Sequence, residues 1–332
     1  MKKGKSLNAL MKHIREIHNV DIKGSSDKNS LMNMGYYHGY KRYRFIKNKF
    51  NIQNIESFSQ IKAIHDFDFE LKRIFYPMMT LVETGMKNRT IDAIVTSQNP
   101  DIESIYKSKL TEYLDYDKNG LDAKKTKKFK EKLKKRLEFH SEMERTIGYN
   151  YGKNVALSHF VHKGNDIPLW AFFEIITLGQ FGHFIGRLSE SWRIEVSKVN
   201  GLQNASFNQN GRMMENIIFT LTGLRNATMH NSAVFDADFN RDGIAKGLKN
   251  FLMAEINVDG ITFDTIIDYL ILLVFILKKQ GYSKRELNSY VKEFVAAKEK
   301  LFRDVPLSTY GQLLGMDSKK KIVAIKKFIS QN

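Results

Sequence analysis

Several residue types and patterns that would point to particular protein classes are missing or scarce in this chain. It has no cysteine, which excludes disulfides and thiolate metal sites and is compatible with a reducing, cytoplasmic compartment. Only four prolines occur in 332 residues, and we find neither an internal repeat nor a Gly/Ser-rich linker. The basic N-terminus lacks the apolar segment of a secretory signal. The longest apolar run, 269–277, is too short to span a bilayer, so we expect a buried helix there and no membrane partner.

Positive charge is what the chain has in excess. The formal net charge is +17 and the sequence pI is about 9.6, at an ordinary hydrophobic content of 42%. A charge of this size indicates an anionic partner, nucleic acid first and a membrane surface second. The length allows one large domain or two smaller ones.

Apolar residues recur at helical spacing almost throughout, which together with the scarcity of proline predicts an all-α protein. We predict a basic, tyrosine-rich helical region over 1–60, a helical domain over 61–260 with a basic helical insertion near 121–145, and a helical extension over 261–332. Within these regions the spacing predicts a polar loop at 24–30, one long helix or two in tandem over 66–95, one apolar helix over 166–188, and further helices at 240–255, 262–280, 284–303 and 318–330.

A cluster of polar residues ends an otherwise apolar helix. The stretch 221–231, LTGLRNATMHN, places Arg225, Asn226, His230 and Asn231 after an apolar run that begins near Met213. Asn226 and His230 are four residues apart and share a helix face, whereas Arg225 and His230 lie about 140° apart around an ideal helix. Arg225 must therefore reach around the helix if the two are to act together.

These residue types suit the cleavage of a phosphodiester. An imidazole can take or give a proton near neutral pH, and a guanidinium grips phosphate through two parallel hydrogen bonds. RNA carries its own nucleophile in the 2′-hydroxyl, so proton transfer and stabilisation of the crowded phosphate are enough, and no cofactor is needed. No metal site is predicted, because the remaining histidines lack convergent carboxylate or cysteine ligands. In the alternative interpretation, the arginine and the histidine simply end a helix and are satisfied by carboxylates and solvent.

A dense basic run between residues 124 and 136 holds nine basic residues and one acidic residue. Such a helix can contact phosphates and give salt-dependent affinity without sequence specificity. A solvated helix face without a partner is the alternative interpretation, and Phe129 and Leu133 would seat the opposite side on the core. The candidate RNA-contacting residues of this run are Lys124, Lys125, Lys127, Lys128, Lys134 and Lys135.

Near the N-terminus, aromatic residues alternate with cations. Such a pattern can stack on unpaired bases while neutralising phosphates. It can equally form a tyrosine-rich helix that docks on the core and leaves its cations in water. The candidate RNA-contacting residues of this segment are Tyr36, Tyr37, Tyr40, Lys41 and Arg42.

With its flanking asparagines, the motif RNxxxHN resembles the signature of the HEPN ribonucleases. The chain also resembles the Abi-D and Abi-F abortive-infection proteins of bacteria, which are related to the nucleases of type VI CRISPR effectors. The resemblance covers roughly 31–235. Besides the motif it is carried by the paired tyrosines at 36 and 37, by the spacing of Glu83 and Lys87, and by a set of residues around 168–188: Pro168, Trp170, Glu174, Gly179 and Leu188.

The resemblance implies a HEPN-type helical bundle with N- and C-terminal helical extensions, acting as a metal-independent endoribonuclease in antiviral defence or a toxin system. It implies that Arg225, His230 and Asn226 are catalytic, that Asn231 supports them, and that two copies of the chain form one cleft as a homodimer. Glu83 would hold Arg225 through a partly buried ion pair, or would form only an ordinary surface pair with Lys87. The alternative function is a non-cleaving RNA-binding protein in a stable complex with a small structured RNA.

Overall fold

The protein is all-α, as predicted, in a computed structural model that describes residues 4–46, 50–51, 55–116, 122–239 and 243–331. A π-helical segment, Tyr36–Lys41, a 3-10 turn, Glu112–Asp115, and a hairpin of β1 (Phe45–Ile46) with β2 (Phe50–Asn51) interrupt the α-helices. The α-helices are α1 (Leu7–His18), α2 (Gly24–Met34), α3 (Arg42–Arg44), α4 (Phe58–Ile94), α5 (Ile102–Ser108), α6 (Ala123–Asn150), α7 (Val155–His162), α8 (Leu169–Ile175), α9 (Leu178–Arg187), α10 (Glu190–Val199), α11 (Met213–Met229), α12 (Lys246–Ile256), α13 (Ile266–Lys279), α14 (Lys284–Asp304), α15 (Leu307–Leu314) and α16 (Ser318–Ser330).

The long helix α4 lies at the centre of the fold and packs against α10, α11, α13 and α14. It begins at Phe58 and not near 66, because Ser57 and Gln60 form a capping box in which each side chain accepts the other residue's backbone N–H. It continues through Pro77 as one helix, so the version with two helices in tandem is wrong. The packing on four neighbouring helices offsets the backbone hydrogen bond that a proline removes.

The C-terminal helices share the core with α4. Every residue of α13 from Ile266 to Leu277 is buried, which confirms the buried helix predicted from the apolar run. Among the described residues, no helix combines the length and apolar character that crossing a bilayer requires. Because α14 packs along α4, helices from 61–260 and 261–332 contribute to one hydrophobic core. The predicted domain boundaries stay a prediction.

One predicted loop is a helix, one predicted helix begins later than expected, and four short helices were missed. The segment 24–30 is not a loop but the start of α2, since Asp27 accepts the Lys23 backbone N–H at 2.9 Å and Leu31 is buried. Helices α5, α7, α10 and α15 had no counterpart among the predicted helices. The predicted helix at 240–255 begins at Lys246, and residues 240–242 lie outside the described part of the chain.

The apolar segment 166–188 is two helices, α8 and α9, and not one. Thr177 starts α9 with a capping box: its hydroxyl accepts the Gln180 N–H at 3.2 Å, and Gln180 accepts the Thr177 N–H at 2.8 Å. Pro168 is the N-cap of α8. The chain turns between the two helices because the Thr177 side chain caps α9. The continuous apolar composition of the segment gives no sign of this cap.

The N-terminal tyrosine segment docks on the core. Tyr40 is fully buried, its ring stacks on His18, and its hydroxyl accepts a hydrogen bond from Arg44 at 2.8 Å. The alternative interpretation of a docked helix therefore holds for Tyr40, whose ring is not available to a base. The rings of His18, Tyr36 and Tyr40 lie within 6.4 Å of one another, centroid to centroid.

The environment of His18 predicts a loss of stability in acid. Burial, followed by the charge of Arg44, lowers the pKa of His18 to about 4, whereas an unfolded histidine has a pKa of roughly 6.5. Between these values the unfolded chain binds a proton that the folded chain does not. The free energy of unfolding should therefore fall as the pH is lowered from about 6.5 towards 4.

Urea unfolding of the wild type and of His18→Gln at several pH values in this window checks the prediction. Glutamine does not titrate, so its curve of unfolding free energy against pH should be flatter than that of the wild type. Parallel curves for the two proteins would contradict the assignment of this loss to His18.

Candidate functional site

The polar motif lies where α11 ends. Ile217, Ile218, Leu221 and Leu224 are buried along its inner face, as their spacing predicts. His230 caps the helix, and Asn231 follows with a positive φ of 53°. The Ser232 backbone N–H then donates to the Ala227 carbonyl at 2.9 Å, which completes a Schellman-type end with asparagine in the left-handed position. The motif therefore sits on a defined turn.

Asn231 is also tied to the core by its side chain. Its Oδ1 accepts a hydrogen bond from Lys72 Nζ at 2.9 Å, and Lys72 forms an ion pair with Asp68 at 2.7 Å. Asp68 is fully buried and also accepts the backbone N–H groups of Val234 and Phe235 at 2.7 and 2.8 Å. The turn after His230 is thus fastened to α4. Sequence reasoning missed this anchor, although the i,i+4 spacing of Asp68 and Lys72 was a usable signal.

Arg225 points towards α4 and meets Glu83. The Arg225 Nε atom lies 3.7 Å from Glu83 Oε2, and Glu83 Oε1 lies 2.9 Å from Lys87 Nζ. Glu83 therefore makes both of the contacts considered from the sequence, one with Arg225 and one with Lys87. The Arg225 distance is an ion-pair distance but too long for a hydrogen bond. The Nε atom is buried and has no hydrogen-bond partner among the described residues.

A cavity of about 330 Å³ opens beside this ion pair. Its wall combines the cations and carboxylates of the ion pair with hydroxyl, amide and aromatic side chains. Glu174, which matched the family pattern, is exposed and lines the same space. The lining residues come from α4, α8 and α11, and they are Tyr76, Thr80, Glu83, Thr84, Lys87, Asn88, Ile91, Trp170, Phe173, Glu174, Arg225 and Met229.

His230 and Asn226 lie outside this wall. Both side chains are exposed, and neither forms a hydrogen bond or ion pair within the described part of the chain. The angular separation expected on an ideal helix is therefore kept: Arg225 turns inward to Glu83, and His230 faces solvent beyond the last turn. Within one chain, the cavity that holds Arg225 is not lined by His230.

The basic run forms the first half of α6, which is 28 residues long. Two of its nine cations serve the fold: Lys132 Nζ contacts the buried Glu112 at 2.7 Å, and Arg136 donates to the carbonyl oxygens of Tyr106 and Leu110 at 2.8 and 2.7 Å. The other seven are exposed. They are Lys124, Lys125, Lys127, Lys128, Lys130, Lys134 and Lys135.

Phe129 and Leu133 are both partly buried, and Phe129 packs edge-to-face on Tyr113 at 5.5 Å between ring centroids. Lys134 and Lys135 also lie within 3.8 and 2.7 Å of glutamates on the same helix. These two lysines are therefore partly neutralised.

The N-terminal candidates divide into exposed and engaged side chains. Tyr37 is 72% exposed, and Lys41 Nζ lies 5.1 Å from the centroid of its ring. Arg42 lies 3.9 Å from Asp236, a buried carboxylate whose pKa is raised by burial. Of the predicted RNA-contacting residues here, Tyr37 is the one most open to a ligand, and Lys41 is half-buried.

No group of three or more histidine, aspartate or glutamate side chains within the described residues could hold a metal ion. His162, which the sequence places three residues from His159, instead shares a 2.7 Å hydrogen bond with the Tyr151 hydroxyl.

Comparison with known families bears on this site. The family model described as "Abi-like protein" matches residues 29–236, more than half of the chain. The matched segment includes the tyrosine segment, α4 with Glu83, the cavity, and the end of α11. No curated protein and no solved structure matches the chain.

Proposed function

We propose that the chain, which belongs to the Abi-like protein family, is a metal-independent endoribonuclease that acts in abortive infection. The family predicted from the sequence is confirmed by this match, and membership supports the role in abortive infection. The HEPN-type bundle, the relation to type VI CRISPR nucleases and the cleavage of RNA are our proposals.

The observation that carries the proposal is the state of Arg225. This guanidinium lies at the wall of an open cavity, is held by Glu83 at ion-pair distance, and has an Nε–H without a hydrogen-bond partner among the described residues. The Nε–H is enclosed beside Glu83, but the Arg225 side chain as a whole is 27% exposed and lines the cavity, so a phosphate oxygen there can accept from the rest of the guanidinium. Arg225 is therefore suited to stabilise the charge that develops on a pentacoordinate phosphate.

The proposed chemistry needs one proton-transfer group. His230 accepts the proton of the 2′-hydroxyl as its oxygen attacks the adjacent phosphorus, and the P–O5′ bond breaks as the 5′-oxygen takes up that proton from His230 or one from solvent. The products are a 2′,3′-cyclic phosphate and a 5′-hydroxyl. Asn226, exposed one turn before His230, orients the imidazole or the scissile phosphate.

A homodimer would complete the site. Because Arg225 faces the cavity and His230 faces solvent, the exposed His230 of one copy is free to meet the Arg225 cavity of another. Mixing Arg225→Ala and His230→Ala proteins tests this: if each site combines residues of two chains, the mixture regains part of the cleavage that either variant alone lacks.

The experiment that tests the function is incubation of purified protein with end-labelled RNA in the presence of EDTA. The proposal expects cleavage by the wild type, products ending in a cyclic phosphate, and no cut where the 2′-hydroxyl is replaced by hydrogen. Cleavage at a deoxy-substituted position would rule out the internal nucleophile.

A second candidate function is stable RNA binding without cleavage, for example to a small structured RNA. The exposed lysines of α6 favour it, because they offer phosphate contacts away from the Arg225 cavity. Under this hypothesis the wild type and His230→Ala bind RNA equally, with strong salt dependence, and neither cleaves it.

Replacing Lys127, Lys128, Lys134 and Lys135 by glutamine should flatten the salt dependence of RNA binding. Each lost phosphate contact removes about 0.7–0.9 from the slope of log K against log salt, so four contacts remove up to about 3.6. Because glutamates already partly neutralise Lys134 and Lys135, the expected change in slope is smaller than that for four unpaired lysines. Filter binding or fluorescence anisotropy at several salt concentrations measures the slope.

The matched control replaces four exposed lysines of α16, Lys319, Lys320, Lys326 and Lys327, which lowers the net charge equally. A flattening specific to the α6 variant supports a phosphate-contacting helix. Equal slopes for both variants would assign the effect to net charge alone.

A further inference from the structure

Two large aromatic side chains stand open at the mouth of the Arg225 cavity. Trp170 on α8 is 47% exposed and Tyr76 on α4 is 54% exposed, and both line the cavity. Phe160 of α7 packs edge-to-face on Trp170, with 5.7 Å between the ring centroids. One side of the indole is therefore supported by protein.

The composition of the cavity wall favours a nucleobase over a run of phosphates. The cations Arg225 and Lys87 are balanced by the carboxylates of Glu83 and Glu174, so repeated phosphate charges would meet as much repulsion as attraction. Exposed Thr80, Thr84 and Asn88, at successive i,i+4 positions of α4, add donors and acceptors that suit the edge of a base or a ribose. The volume of about 330 Å³ lies at the small end of ligand pockets, which measure roughly 300–1,000 Å³.

From these observations we propose that Trp170 and Tyr76 form a base-stacking subsite that receives one unpaired nucleotide of an RNA strand, beside the phosphate held by Arg225. The inference rests on the proposed function, since it names the substrate class of the same site as single-stranded RNA. The proposal places base stacking at the cavity and not at the N-terminal segment, where Tyr40 is buried. A base-paired nucleotide cannot enter, because its faces are covered by neighbouring bases.

The chain has only two tryptophans, which permits a direct optical test. The second, Trp192, lies under the Lys109 ammonium at 3.4 Å from its ring centroid, away from the cavity. In a Trp192→Phe protein, Trp170 is the sole indole reporter. A short single-stranded RNA should quench its emission, and the same sequence as a duplex should not. The His230→Ala background keeps the RNA intact during the titration.

Binding measurements add a second readout. Trp170→Ala should weaken binding of single-stranded RNA by about 5- to 150-fold, the range measured for loss of one stacked base. Trp170→Phe should keep most of the affinity because phenylalanine still offers a stacking face. The matched control is Trp170→Phe with Trp192 retained, whose emission should not respond to RNA. Circular dichroism and thermal unfolding establish that each variant is folded.

The outcomes separate this subsite from the nuclease proposal. Quenching of Trp170 by single-stranded RNA, while the wild type cleaves nothing, supports the subsite and removes the nuclease function. Cleavage by the wild type with unchanged Trp170 emission at saturating RNA overturns the subsite and leaves the nuclease standing. A third outcome also overturns the subsite: Trp170 emission changes with protein concentration in the absence of RNA and then does not respond to RNA. In that case a second copy of the chain would cover this face.

Discussion

Replacement of His230 by alanine is expected to lower the rate of RNA cleavage by about 10²- to 10⁴-fold, the usual contribution of one positioned acid or base. RNA affinity should change little, because His230 is exposed and does not line the Arg225 cavity. The fall should therefore appear in the single-turnover rate constant at saturating protein, measured with labelled RNA in EDTA.

His183→Ala is the matched control. His183 is also exposed and contacts the ring of Phe219, and it lines a different cavity from Arg225. Its loss should leave cleavage at the wild-type rate. A His230→Ala protein as active as His183→Ala would remove His230 from the mechanism.

Arg225→Lys extends the same comparison. Lysine keeps the positive charge but not the two parallel donors that fit a phosphate, so this variant should bind RNA and still cleave it far more slowly than the wild type. Wild-type cleavage by Arg225→Lys would contradict a bidentate role.

Asp68→Ala is expected to lower the free energy of unfolding by about 3–5 kcal/mol, the cost of removing one partner from a buried ion pair. Asp68 is fully buried and has four partners: Lys72, the Tyr43 hydroxyl, and the N–H groups of Val234 and Phe235. Its loss leaves the Lys72 ammonium nearly enclosed without a counter-charge. Urea unfolding at constant m-value measures the change.

Asp66→Ala provides the comparison on the same helix. Asp66 pairs with Lys62, but its side chain is 32% exposed, and such a surface pair contributes only about 0–1 kcal/mol. The Asp68 effect should exceed the Asp66 effect several-fold, and similar losses in the two variants would show that the buried network contributes little. Because Asp68 and Lys72 anchor the turn after His230, we also expect Asp68→Ala to impair cleavage.

Helix composition and spacing were readable from the sequence because they depend on local chemistry. The buried face of α11, the buried α13 and the basic first half of α6 all follow from the periodicity of apolar and charged residues. Boundaries set by side-chain caps were not read correctly. Thr177 begins a helix inside a segment whose apolar spacing gives no sign of a break, and Ser57 begins one ahead of the predicted start near 66, since a cap depends on hydrogen bonds and not on hydrophobic period.

The sequence by itself determined that the chain is helical and strongly basic, and that Arg225, Asn226, His230 and Asn231 arrive together at the end of one helix, because residue type and 3.6-residue spacing are properties of the chain. Only the tertiary structure decided which long-range partners these residues meet. It brought Glu83 to Arg225, Lys72 to Asn231, and Trp170 and Tyr76 to the same cavity. Those contacts join helices far apart in the sequence, and they are set by how the helices pack on α4, which no local pattern encodes.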